Sequence, residues 1–190
     1  AFSVTYLMLR SAEVIGNELV WSDPVLVNNR IKGAERFLGV CPGRGITVAL
    51  DGNTERIIFP VYDNVTGVER ASTIYSDDGG ATWTRGMRVP ELGITSKASE
   101  SQIVELPNGT LRMYSRNNKN QISYADSTDK GITWGASSFD TNLTYCGDCM
   151  VSFINLEGSL LAPDGTRYDN LILASYPKGA AYRSNGVIRI

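Results

Sequence analysis

The sequence predicts an all-β fold of short antiparallel strands joined by tight turns. Short apolar runs alternate with turn residues throughout, and the 190 residues include 19 glycines. Residues 102–106 and 110–115 are apolar-rich and flank Pro107-Asn108-Gly109, and an Asn-Gly pair between two such runs is a strong hairpin signal. In no window do apolar residues recur with the 3.6-residue helical period over three turns.

An internal repeat narrows this fold class to a β-propeller. Ser76–Trp83 and Ser127–Trp134 both fit the pattern S-x-D-x-G-x-T-W and lie 51 residues apart. The Asp and Ser side chains can hydrogen-bond the turn backbone, Gly permits a positive φ, and Trp buries a large ring between neighbouring sheets. A spacing near 50 residues is typical of one propeller blade, a four-stranded antiparallel sheet.

The remaining strands follow from apolar runs bounded by turns. We predict strands at residues 56–62, 72–75, 102–106, 110–115, 121–124 and 170–174. At about 40–50 residues per blade, residues 1–190 make about four blades in a single domain. No second domain is predicted.

The composition excludes several classes of function. The chain has no histidine, which excludes a Ser-His-Asp triad, a Cys-His pair and a His-ligated zinc site within it. A net charge of −2 gives no bulk attraction to nucleic acid, and no apolar stretch approaches the roughly 20 residues of a membrane span. Cys146 and Cys149 form one C-x-x-C unit without a second pair, so we expect two small pocket or core residues, with a disulfide between them left open, and no metal or cofactor.

Several segments, in the same order, resemble the bacterial sialidases. The two octapeptides resemble the Asp-boxes of that superfamily, at 76–83 and 127–134. Residues 37–46 resemble its F-L-G-x-G-P-G-R-G-I segment, with Cys41 where glycine is usual. Residues 99–106 resemble its S/T-E-x-Q segment, and residues 113–117 and 182–190 resemble two arginine-bearing segments. The resemblance implies a six-bladed sialidase-type propeller, of which this chain supplies part of the catalytic domain.

The resemblance also implies three principal site residues. Glu100 matches the glutamate that pairs with a tyrosine nucleophile, and Arg116 and Arg183 match two arginines of the triad that binds the substrate carboxylate. Planar guanidinium groups suit this task because they make paired, charge-assisted hydrogen bonds to a carboxylate. Strand alternation alone does not exclude the neighbouring candidates, which are Glu105, Arg112 and Arg189.

Three further residues are candidates for lining the substrate pocket. Arg44 lies in the Pro-Gly-Arg-Gly turn, where it either lines the site or solvates a loop. Tyr62 and Tyr145 match tyrosines that line the pocket in similar enzymes, and each is alternatively an ordinary blade tyrosine. We do not expect Tyr145 to be the nucleophile, because that tyrosine follows the third arginine in the family.

The implied function is that of a retaining exo-α-sialidase acting on terminal sialic acids of sialylated glycans. The family's first triad arginine, its general-acid aspartate and its tyrosine nucleophile have no match in residues 1–190, so we expect this chain alone to be inactive and to complete its propeller with further segments of the same protein. Two alternatives remain open, an intramolecular trans-sialidase and a non-catalytic carbohydrate-binding propeller. The resemblance implies a secreted or cell-surface bacterial protein.

Overall fold

A computed structural model describes residues 4–90, 97–144, 148–179 and 183–190. These residues form eighteen short strands and one single-turn helix, and every strand pairing is antiparallel. The all-β prediction is therefore confirmed. Within the described ranges, no helix has the length and apolar character needed to cross a membrane.

The N-terminal part contains two strand pairs followed by the helix. Its elements are β1 (Met8–Leu9), β2 (Ala12–Ile15), β3 (Glu18–Trp21), β4 (Val25–Leu26) and α1 (Asn28–Ile31). Strand β1 pairs with β4, and β2 forms a hairpin with β3. Both strands of that hairpin are exposed along their whole length.

The first large sheet has five strands. They are β5 (Leu38–Val40), β6 (Ile46–Ala49), β7 (Glu55–Asp63), β8 (Arg70–Ser76) and β9 (Thr84–Arg85). The long strand β7 pairs with β8 on one side and with both β5 and β6 on the other. The Pro-Gly-Arg-Gly turn separates β5 from β6. Its Gly45 passes so close to β7 that a Cβ atom would lie 2.5 Å from the carbonyl oxygen of Ile58, which explains why glycine is needed.

The second sheet is a regular four-stranded meander. Its strands are β10 (Ser101–Glu105), β11 (Leu111–Ser115), β12 (Gln121–Ser127) and β13 (Ser138–Thr144), paired in sequence order. The predicted hairpin at Asn108-Gly109 joins β10 to β11, and Gly109 has the positive φ of 80° that this turn requires.

The third sheet has three strands, with an additional hairpin beside it. The elements are β14 (Ser152–Asn155), β15 (Ser159–Leu161), β16 (Arg167–Asp169), β17 (Ile172–Pro177) and β18 (Gly186–Arg189). Strand β17 lies between β14 and β18, and β15 pairs with β16.

Three apolar cores lie between successive layers. One joins N-terminal residues such as Leu7 to the first sheet, the next joins the first sheet to the second, and the last joins the second to the third. Adjacent residues of β10 belong to different cores, since Ile103 faces the first sheet and Val104 faces the third. Because β10 also contacts β7 on one side and β14 on the other, the layers stand side by side as propeller blades do.

The two octapeptide turns form the same set of hydrogen bonds. In the first, Asp78 accepts from the backbone N–H and the hydroxyl of Thr82 at 2.8 and 2.6 Å, and the Ser76 hydroxyl accepts from Gly80 N–H. In the second, Asp129 accepts from both donors of Thr133 at 2.9 and 2.5 Å. Trp83 and Trp134 are buried in two different cores. The turns therefore stabilise the layers, as the sequence predicts.

Candidate active site

Glu100 and Arg116 lie at one edge of the second sheet, directly opposite each other. The register of β10 and β11 pairs Ser101 with Ser115, so the residues that flank these strands meet. The Arg116 side chain donates from Nη1 to Oε2 of Glu100 at 2.6 Å, and about a quarter of each side chain is exposed. This hydrogen bond is the main reason why the pKa of Arg116 is raised above its ordinary value. We use the name site edge for this edge of the second sheet together with the neighbouring ends of the first and third sheets.

A second carboxylate, which no sequence motif marks, also binds Arg116. Oδ1 of Asp148 accepts from Arg116 Nε at 3.1 Å and lies 3.2 Å from Nζ of Lys97. Lys97 in turn lies 3.5 Å from Oε2 of Glu69. Burial alone would raise the pKa of Asp148, but the hydrogen bonds from Arg116 and Lys97 lower it below its ordinary value.

Tyr62 lies close to this group of charges, near the site-edge end of β7. Its ring packs edge-on against Phe37, with centroids 5.2 Å apart, and covers Gly39 on the neighbouring strand. A Cβ atom on Gly39 would lie 2.8 Å from the Tyr62 ring, so the ring occupies the space of the missing side chain. Burial raises the pKa of Tyr62, and the negative charges of Glu100 and Glu69 raise it further.

Cys41 lies behind the site as a buried thiol. Its Sγ atom lies 3.8 Å from the backbone carbonyl oxygen of Ser99, next to Glu100. Burial, together with the charge of Glu100, raises the pKa of Cys41 to about 12. The thiol is therefore protonated at neutral pH and is a poor nucleophile.

A buried ion-pair network supports the same edge from the first sheet. Asp63 follows Tyr62 in β7 and is 1% exposed. Its Oδ2 atom accepts from Arg85 at 2.7 Å and from Arg88 at 2.6 Å, and Arg85 also contacts Glu35 at 2.6 Å. Because each of these charges has an opposite partner, the network holds the end of β7 without an uncompensated buried charge.

The other predicted site residues are more widely distributed. Arg183 precedes β18 at the site edge, is exposed and has a φ of 51°. Arg44 lines a cavity of about 670 Å³ that also includes Glu105 and Asn155, near the ends of β10 and β14 that face away from Glu100. Tyr145 lies outside the described residues.

The three alternative candidates are engaged elsewhere. Arg112 makes a two-bond ion pair with Asp126, both bonds at 2.8 Å, and stacks over the ring of Tyr124. Glu105 binds Lys130 at 2.7 Å, near the Asn-Gly turn. Arg189 donates to the backbone carbonyl of Asn142. Arg112 and Glu105 lie at the end of β10 and β11 that faces away from Glu100 and Arg116, so neither belongs to the site edge.

Chemically, the site edge combines an anchored guanidinium group with a carboxylate that has one unengaged oxygen. Glu100 uses Oε2 for Arg116, and among the described residues no donor binds its Oε1 atom. The site can therefore bind an anion through Arg116 and accept a proton at Glu100. No sequence pattern marks Asp148 or Lys97 as a site residue. Asp148 lies within the short C-x-x-C segment, and Lys97 lies in the loop between β9 and β10.

Comparisons with known proteins agree with this fold. The model of the BNR repeat-like domain family matches residues 8–161. A sialidase of Paraclostridium sordellii is 34% identical over 181 residues, which cover 89% of this chain and 42% of that protein. An anhydrosialidase of Macrobdella decora is 35% identical over 135 residues, which cover 70% of this chain and 17% of that protein. The chain spans less than half the length of these relatives.

Among solved structures, the chain is similar to the intramolecular trans-sialidase from Ruminococcus gnavus, determined in complex with oseltamivir carboxylate. The TM-score is 0.77 at 30% identity, and the match covers 96% of this chain and 35% of that one. The sheets described above therefore correspond to about a third of a sialidase chain.

Proposed function

This chain belongs to the sialidase family through its BNR repeat-like domain, and from that membership we propose that it forms part of a retaining exo-α-sialidase. The proposed enzyme cleaves terminal sialic acids from glycans, outside the bacterial cell or at its surface. The observation that carries the proposal is the ion pair between Arg116 and Glu100 at the site edge.

In the proposed site, Arg116 and Arg183 bind the carboxylate of the sugar. A sialoside carries this negative charge on the anomeric carbon itself. Arg116 uses Nε and one Nη1 hydrogen for the carboxylates of Asp148 and Glu100, and no other described residue binds Nη2, which supports its use for the substrate. The exposure of Arg183 at the same edge supports a role as a second donor.

Glu100 acts in the proposal as the base partner of a tyrosine nucleophile. A carboxylate nucleophile would be repelled by the substrate carboxylate, and sialidases are the glycosidases that use tyrosine instead. The unengaged Oε1 of Glu100 suits a phenol hydrogen bond, because Oε2 is held by Arg116. Residues 1–190 contain no match to the family's tyrosine nucleophile or general-acid aspartate, so we assign both roles to other parts of the enzyme.

A second reaction of the same class is favoured by two of the relatives. One is named an anhydrosialidase and another an intramolecular trans-sialidase. In that variant a hydroxyl of the substrate attacks in place of water and an anhydro sugar is released. Binding of the substrate carboxylate by Arg116 and Arg183 is required in both reactions.

Assay of the full-length enzyme with 4-methylumbelliferyl sialoside tests the proposal. We expect release of 4-methylumbelliferone, and proton NMR of the first sugar product separates the outcomes. Free sialic acid in the α-configuration indicates retaining hydrolysis, and an anhydro sugar indicates the intramolecular reaction. Binding of sialic acid without turnover would instead indicate a non-catalytic carbohydrate-binding propeller.

A further inference from the structure

Five side chains of alternating charge form a continuous series along the site edge. The series runs from Glu69 to Lys97, then to Asp148, Arg116 and Glu100, with nitrogen–oxygen distances of 3.5, 3.2, 3.1 and 2.6 Å. Its members come from four different connecting segments. Asp148 is the central member and joins the two basic residues.

The contacts of Arg116 fix the plane of its guanidinium group. Asp148 takes the Nε hydrogen and Glu100 takes one Nη1 hydrogen. Since the group is planar and rigid, two contacts at separate nitrogens determine where Nη2 points. Within residues 97–144 and 148–179, nothing binds Nη2.

Asp148 is itself held in place from both sides. Lys97 contacts the same Oδ1 atom that binds Arg116, and Lys97 is in turn held by Glu69. The backbone of Asp148 has a φ of 50°, in the left-handed region that non-glycine residues seldom occupy. The side chain is 43% exposed, so solvent reaches it while it contacts both basic residues.

We propose that Asp148 is a positioning residue, which holds Arg116 through Nε so that Nη2 is directed at the substrate carboxylate. This inference rests on the proposed function. Its chemical basis is that an arginine pre-ordered before binding loses less side-chain entropy when the anion arrives. The opposite role is also conceivable in chemical terms. If the carboxylate of Asp148 competed with the substrate for Arg116, it would weaken substrate binding.

Kinetics of the full-length enzyme distinguish the two roles. We expect Asp148→Ala to raise KM about tenfold with a smaller change in kcat, because the loss falls on carboxylate binding. Asp148→Asn keeps an acceptor for Nε and is expected to lie between Ala and the wild type. An unchanged or lowered KM in both variants would overturn the proposal.

Asp169 provides a matched control. It accepts from Arg167 Nε at 3.2 Å, almost the same contact as that of Asp148 with Arg116, but on an exposed hairpin. Asp169→Ala is expected to leave KM unchanged. An equal rise of KM in this control would show a general effect of lost charge and would also overturn the proposal.

A spectroscopic readout separates this inference from the proposed function. With ¹⁵N-labelled arginine, the Nε–Hε signal of Arg116, assigned by its loss in Arg116→Lys, should broaden or shift in Asp148→Ala. An unchanged signal would show that Asp148 does not hold Arg116. Failure of the wild type to cleave or bind the sialoside would instead defeat the proposed function and, with it, the substrate role of Asp148.

Discussion

Glu100 and Arg116 are joined twice, once through the backbone and once through their side chains. The backbone N–H of Arg116 donates to the carbonyl oxygen of Glu100 at 3.0 Å, beyond the last paired residues of β10 and β11. The side-chain hydrogen bond of 2.6 Å lies beside it. The hairpin therefore holds the carboxylate of Glu100 and the guanidinium group of Arg116 together as one unit.

Replacement of Arg116 tests whether this residue binds the substrate carboxylate, as proposed. In the full-length enzyme, Arg116→Ala should raise KM for the sialoside by roughly 10–100-fold per lost hydrogen bond, because each bond is charge-assisted. Steady-state kinetics give the value. Arg112→Ala is the matched control, since Arg112 is bound to Asp126 on the same hairpin, and it should keep the wild-type KM. The reverse pattern would transfer the role to Arg112.

Replacement of Gly39 tests the placement of Tyr62. A methyl group on Gly39 would lie 2.8 Å from the Tyr62 ring and 2.9 Å from Phe37, so the rings must move. We expect Gly39→Ala to lower the free energy of unfolding by about 1–3 kcal/mol, measured by urea denaturation. Gly135→Ala, where the nearest atom would be 3.5 Å away, is the control. Equal stability of the two variants would contradict the packing described for Tyr62.

The first octapeptide turn should make stability depend on acid pH. Hydrogen bonds from Thr82 lower the pKa of Asp78 to about 2, against about 3.9 in an unfolded chain. The unfolded chain therefore binds the proton first, so the stabilising contribution is complete above about pH 4 and is lost as pH falls through about 2.

Comparison with Asp78→Asn measures this contribution. The difference in unfolding free energy between the wild type and the variant should be largest above pH 4 and should shrink towards pH 2. Asp51→Asn, in an exposed turn, is the control. A difference that stays constant between pH 5 and 2 would argue against the lowered pKa.

Removal of Asp63 should destabilise the site edge. The residue is 1% exposed and binds both Arg85 and Arg88, which would be left without this partner. We expect Asp63→Ala to lose about 1–3 kcal/mol of unfolding free energy, because Arg85 keeps Glu35 as a partner and Arg88 is 42% exposed. Asp169→Ala, in an exposed pair, should lose less than about 1 kcal/mol. Similar losses in both variants would mean that burial of the network adds little to the free energy of unfolding.

The fold was accessible from the sequence because its signals are local. The Asn-Gly turn determines the register of β10 and β11, and that register alone brings Glu100 opposite Arg116. The repeat of the octapeptide marks the ends of β8 and β12. Each of these features depends on residues that are close in the chain.

The rest of the site depends on contacts between sheets, for which no local pattern exists. Asp148 meets Arg116 across 32 residues, and Arg85 meets Glu35 across 50. Neither acidic residue lies in a periodic segment. The roles of all six predicted site residues stay predictions: Glu100, Arg116, Arg183, Arg44, Tyr62 and Tyr145.

The octapeptide turns and the charged series lie at opposite edges of the same sheets. Strand β8 runs from Arg70, beside Glu69, to Ser76, where the first turn begins, and β12 likewise ends at Ser127 away from Arg116. Ala81, at the tip of the first turn, is exposed. A tether attached there would immobilise the protein on a solid support with its site edge facing the liquid.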